Sequence, residues 1–107
     1  MKCKPVKETD TGEVNCNPEE ATHIWLHMPG PFYYRRIPVC HGNVKRKGKH
    51  CWSWNGDVDK PTLKPSILTR ANGVVCHSFV NDGFVKFLGD CTHDLVNKEV
   101  ELYYIEA

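Results

Sequence analysis

The stretch from Val75 to His93 constrains this chain more than any other. It reads as two apolar, β-prone runs around Asp82-Gly83, with Cys76-His77 entering and Cys91-Thr92-His93 leaving. An Asp-Gly pair between alternating hydrophobics closes a tight hairpin, because both turn residues need positive φ. With those two as the loop, Asn81 faces Phe84, Ser78 faces Phe87, His77 faces Leu88, Cys76 faces Gly89 and Val75 faces Asp90. Side chains alternate along a strand, and directly opposed ones share a face. One face then carries Cys76, Ser78, Val80, Val85, Phe87 and, if the strand continues, Cys91 and His93. The other carries His77, Phe79, Leu88 and Asp90. A bulge near Gly89 would move Cys91 and His93 across and merge the two groups.

The rest of the chain reads as further strands. Residues 1–20 are polar, with Pro5 and Pro18, and are expected as an N-terminal arm whose first residues could add an edge strand. Residues 21–107 are expected as one β domain. Ala21–His27 is a short strand stopped by Met28-Pro29-Gly30-Pro31, and Phe32–Val39 is a second, aromatic and β-branched. Trp52 and Trp54 alternate onto one face, where two indoles suit a core. Pro61 and Pro65 fix an extended path that suits an edge or crossover better than a central strand. Ile67–Thr69 begins a strand that Asn72-Gly73 turns into the central hairpin, and Val100–Ile105 closes the chain. At most one helical turn fits Thr92–Asn97. The expected fold is all-β, a small barrel or sandwich of about seven short antiparallel strands with long loops.

A net charge of +1 gives no electrostatic reason to expect nucleic-acid or membrane binding. Four of the lysines and arginines fall within Cys40–His50, as in a solvated hairpin turn or an anion-binding loop. No aromatic interleaves them, as a single-strand binder would require. The first eleven residues lack the apolar core of a secretory signal, and no run approaches the roughly 20 apolar residues of a membrane span. The expected setting is therefore cytoplasmic. In a reducing compartment, six Cys and six His point to metal binding or catalysis more than to a disulfide framework.

Two chemistries can be built. Zn²⁺ takes four N or S ligands in a tetrahedron. Cys76, Cys91 and His93 lie on one face of the hairpin and could supply three, with Cys51, His27, Cys40, His41 or water completing the set. Closed by a fourth side chain, such a site is structural; left open, it activates water. The second chemistry is nucleophilic: a hydroxyl needs a base, and the base an orienting carboxylate. His77 and Asp90 share a face, and Ser66 follows Pro65 on a rigid segment that could lie against it. Ser66, His77 and Asp90 are the candidate catalytic residues; the plain alternative for Ser66 is a hydroxyl bonded to nearby backbone.

Four motifs in order carry a resemblance: Trp52-Ser-Trp-Asn-Gly, Pro61-Thr-Leu-Lys-Pro-Ser-Ile, Cys76-His-Ser-Phe-Val with Asp82-Gly83, and Asp90-Cys-Thr-His. They resemble a family of small domains of unknown function common in tailed phages, sometimes labelled ammonia monooxygenase. Related domains lie in bacterial operons for ubiquitin-like conjugation. The resemblance spans roughly residues 50–102. It departs earlier, where a Cys-Pro-x-Cys-like element is His27-Met28-Pro29-Gly30-Pro31 here, and at Val96–Val100, where Gly-Gln-Thr-Val is usual. It implies a zinc-binding phage protein in the host cytosol that hydrolyses a peptide or isopeptide bond. A ubiquitin-like or host protein would be its partner. The alternative is a non-catalytic, zinc-stabilised module that binds a host protein.

Overall fold

The computed structural model describes residues 1–40 and 50–105. Nine strands are present among them: β1 (Cys3–Thr9), β2 (Gly12–Asn15), β3 (His23–His27), β4 (Tyr34–Cys40), β5 (Trp52–Trp54), β6 (Leu63–Ala71), β7 (Val74–Asn81), β8 (Phe84–Phe87) and β9 (Glu99–Glu101). They form one sheet in the order β2-β1-β3-β4-β5-β6-β7-β8-β9. The fold is all-β, as its turn chemistry implies. Every neighbouring pair is antiparallel except β4–β5, which run parallel with Val39 opposite Trp52. The sheet curls: beyond β9, Tyr103 N–H donates to the His27 carbonyl and Ile105 N–H to that of Met1.

Both central hairpins close on paired positive-φ turns, Asn72-Gly73 (φ 53° and 77°) and Asp82-Gly83 (φ 51° and 83°). That backbone matches the right-handed twist of the flanking strands and suits Asn, Asp and Gly. It fixes the β7–β8 register as Asn81 with Phe84, Val80 with Val85 and Ser78 with Phe87. The inward face of these strands carries Leu63, Ile67, Val80, Val85 and Phe87, which pack with Ile24, Leu26, Ile37, Val39 and Trp54 in the core. Cys76 and Ser78 are buried on the same face.

Three expectations change. Residues 1–20 are not merely an arm: β1 lies between β2 and β3, and Cys3 and Val6 are fully buried. Half-buried Lys4 separates the buried residues, and exposed Lys7, Glu8 and Thr9 follow them, so no long hydrophobic run marks the strand. The Pro-rich segment is not an edge or a crossover, since β6 sits between β5 and β7. A register shift between Leu63 and Ile67 accommodates Pro65 there, the setting in which an interior proline is tolerated. Cys40 and Cys51 are joined by a disulfide, with Cα atoms 5.6 Å apart. The parallel β4–β5 pairing brings their ends together, which neither residue's local sequence reveals. Most of the basic run, residues 41–49, lies outside the described residues, as does His41. Among the described residues no helix is long and apolar enough to cross a membrane.

Candidate active site

Ser66 stands on the outward face of β6, half-buried, inside the register shift. From Leu63 to Ile67, β6 advances four residues while β7 advances two, from Val80 to Ser78. Lys64, Pro65 and Ser66 therefore stand opposite Phe79 alone, and the excess bows that segment outward. The Ser66 carbonyl accepts the Trp52 indole N–H at 3.2 Å, which ties the bulge to β5. Two residues on, Leu68 pairs with His77 of β7. Ser66 Oγ lies 2.8 Å from His77 Nε2.

On the other side of β7, the hairpin register breaks just past Phe87. Leu88 N–H still donates to the His77 carbonyl at 2.9 Å, but Cys91 N–H then closes a turn onto the Leu88 carbonyl at 3.3 Å. Pairing resumes with Thr92 N–H on the Val75 carbonyl at 3.0 Å and Val75 N–H on Thr92 Oγ1 at 2.9 Å. Val75 thus meets Thr92 instead of Asp90. The offset is two residues, an even number, so the faces do not exchange. Asp90 stays on the His77 side, with Oδ2 at 2.9 Å and Oδ1 at 3.2 Å from His77 Nδ1. With Nδ1–H donated to Asp90, Nε2 is left to accept the Ser66 hydroxyl proton. The three side chains form one continuous hydrogen-bonded relay across β6, β7 and the turn after β8. Its inner end is half-sheltered, with 24% of the His77 side chain exposed, while the carboxylate is 53% exposed.

A residue beneath the relay holds its histidine. The Cys91 thiol accepts the His77 backbone N–H at 3.3 Å and donates to the His77 carbonyl at 3.2 Å. Together with the Leu88 bond, the His77 peptide groups are gripped from the turn that carries Asp90. Cys76, buried beside Cys91, has its thiol pushed up to about 11, by burial first and then by the Cys91 neighbour.

The three residues expected as metal ligands do not converge. Cys76 and Cys91 adjoin each other, but Cys91 is engaged with His77. The His93 ring stands edge-on to Phe87, centroids 4.9 Å apart, and its Nδ1 accepts the Leu95 N–H at 3.3 Å. Cys40 and Cys51 are bonded to each other. His27 packs against Tyr33, Tyr34 and Tyr103 at centroid distances of 4.5, 4.6 and 4.9 Å. Among the described residues, no group of three or more His, Cys, Asp or Glu is placed to hold a metal ion.

Comparison with known families bears on the same strands. Residues 36–88 match the family described as BubE, the bacterial ubiquitination-like system serine protease. The likeness is to a serine protease. It runs from β4 through β8 and takes in Ser66 and His77, while Asp90 lies just beyond its end. The match relates the chain to bacterial ubiquitin-like conjugation systems. Neither the curated proteins nor the solved structures gave a match.

Sequence reasoning missed two features around the relay. One is the grip of Cys91 on the His77 backbone, which depends on the turn at Leu88–Cys91. The other is an open groove of about 750 Å³ beside Ser66, lined by Lys64, Pro65, Phe79, Phe84, Lys86 and Glu99 among others. Phe79, placed by the hairpin on the same face as His77, was the legible clue to it.

Proposed function

We propose that the chain is a serine hydrolase that cleaves a peptide or isopeptide bond, acting on a protein conjugated to or processed from a ubiquitin-like partner. The observation that carries this is the unbroken relay from Ser66 Oγ through His77 to Asp90, at 2.8 and 2.9 Å. These separations lie within the reach a nucleophile, a base and an orienting group need. The match of residues 36–88 to a family described as a serine protease supports the same reading.

In this mechanism Ser66 Oγ attacks the scissile carbonyl as its proton passes to His77 Nε2. Asp90 holds the imidazole by Nδ1–H and stabilises the imidazolium that forms. His77 then protonates the leaving amine, giving an acyl-Ser66 intermediate. Water, deprotonated by the same imidazole, releases the acid and restores the hydroxyl.

The test needs no knowledge of the substrate. A fluorophosphonate probe labels an activated serine, so incubation followed by peptide mapping should place the adduct on Ser66. Ser66→Ala and His77→Ala should abolish labelling while keeping the wild-type circular dichroism spectrum, because both side chains face outward. No adduct on the folded wild type, or undiminished labelling in His77→Ala, would overturn the proposal.

A further inference from the structure

The groove beside Ser66 has an order that follows from strand pairing. Opposite the bulge of Lys64, Pro65 and Ser66 stands Phe79; Phe79 pairs with Lys86, and Lys86 with Glu99. The outward face thus presents, from β6 to β9, nucleophile, phenyl ring, ammonium and carboxylate. One pleat along, Phe84 adds a second ring. Both rings are open to solvent, Phe79 at 44% and Phe84 at 40%. The Lys64 and Lys86 ammonium groups make no hydrogen bond or ion pair among the described residues.

We propose that this groove selects an extended peptide bearing a large apolar side chain near the cleaved bond and an acidic side chain about three residues away. The inference rests on the hydrolase reading of Ser66 and names the substrate class for that site. Strands lie about 4.8 Å apart and an extended chain advances about 3.3 Å per residue. A peptide running across the strands from Ser66 therefore passes Phe79 after one or two residues. It reaches Lys86, two strands over, after about three. Pro65, Phe79 and Phe84 form an apolar floor for a leucine- or phenylalanine-sized side chain. Two lysines against Glu99 leave the rim net positive, which favours a carboxylate between Lys64 and Lys86. Glu99, at the far end, disfavours a further acid beyond it.

The test reads binding alone, so that its failure and a failure of the hydrolase reading are distinguishable. Ser66→Ala protein is titrated by fluorescence anisotropy with three labelled hexapeptides of otherwise identical sequence. One carries leucine with aspartate three residues away, one leucine with lysine, and one glycine with aspartate. The leucine–aspartate peptide should bind about tenfold tighter than its lysine counterpart at low salt, and the difference should shrink at 1 M salt. Lys64→Glu with Lys86→Glu should reverse that preference, and Phe79→Ala should erase the preference for leucine over glycine. Both lysines are exposed, so the charge variant should fold even if Phe79→Ala does not. Equal affinity for all three peptides, or a charge preference untouched by the lysine reversals, would overturn the proposal. So would self-association abolished by Phe79→Ala, since the groove would then be filled by a second copy of the chain. Fluorophosphonate labelling of Ser66 is read separately: labelling without peptide preference leaves a hydrolase with a different substrate.

Discussion

Cys91 is where a hydrogen-bonding role and a metal-ligand role give opposite forecasts. The thiol is 8% exposed and makes two bonds to the His77 backbone, at 3.3 and 3.2 Å. Cys91→Ala removes both and leaves a sheltered N–H without a partner, at about 1–3 kcal/mol. Loss of the buried sulfur adds about 1 kcal/mol. The sum, about 2–4 kcal/mol, corresponds to a melting temperature roughly 10–20 °C lower for a domain of this size. Cys91→Ser keeps a donor and an acceptor at the same place, so it should lose about 1 kcal/mol and melt well above Cys91→Ala. A zinc thiolate predicts otherwise: serine replaces it no better than alanine, and both variants shed metal. Thermal unfolding followed by far-UV circular dichroism, with elemental analysis of the same samples, separates the two. Cys91→Ser melting with Cys91→Ala, alongside stoichiometric zinc in the wild type, would refute the hydrogen-bond argument.

Three more expectations follow from the geometry. Asp90→Ala should slow fluorophosphonate labelling by about 10²-fold, less than the roughly 10⁴-fold of a buried triad carboxylate, because a side chain 53% exposed is already shared with water. Alkaline conditions should destabilise the fold: burial pushes the Cys3 thiol up to about 12 and Cys76 up to about 11 from an ordinary 9.0. Both stay protonated when folded while the unfolded chain sheds protons. Their contribution is therefore complete below pH 9 and is lost as pH rises through 11 and 12, and Cys3→Ala should blunt the fall in melting temperature over that range. Reduction of Cys40–Cys51, which closes a separation of 11 residues, should cost about 2–3 kcal/mol, seen as a lower melting temperature with dithiothreitol that is absent in the Cys40→Ser, Cys51→Ser double variant.

How much of this was legible depends on how local the cause is. The β7–β8 pairing is written in Asp82-Gly83, and extrapolation from it put His77 and Asp90 on one face and Cys76 and Cys91 on the other. Extrapolation failed at Val75, which meets Thr92 because a turn at Leu88–Cys91, closed by Cys91 N–H on the Leu88 carbonyl, interrupts the ladder before pairing resumes. Ser66 could be suspected of lying against His77 but not placed there, since its position depends on a bulge whose size only the pairing of β6 with β7 reveals. The prolines of that segment argued against a central strand, and the same bulge is what lets one form. The Cys40–Cys51 bond was hidden because a parallel pairing of β4 and β5 is not encoded in either strand alone.

Both register offsets beside His77 are even. On the β6 side, four residues run against two; on the other, Phe87 to Thr92 runs against Ser78 to Val75, five steps against three. Because side chains alternate with a period of two, inserting or deleting one residue in either place would exchange inside for outside. Ser66 would turn into the core and Ile67 into water, or Asp90 would leave the histidine. Length changes between Leu63 and Ile67, or between Phe87 and Thr92, are thus tolerable only in pairs. Among relatives, a single-residue gap at either place would mark a chain in which hydroxyl, imidazole and carboxylate no longer meet.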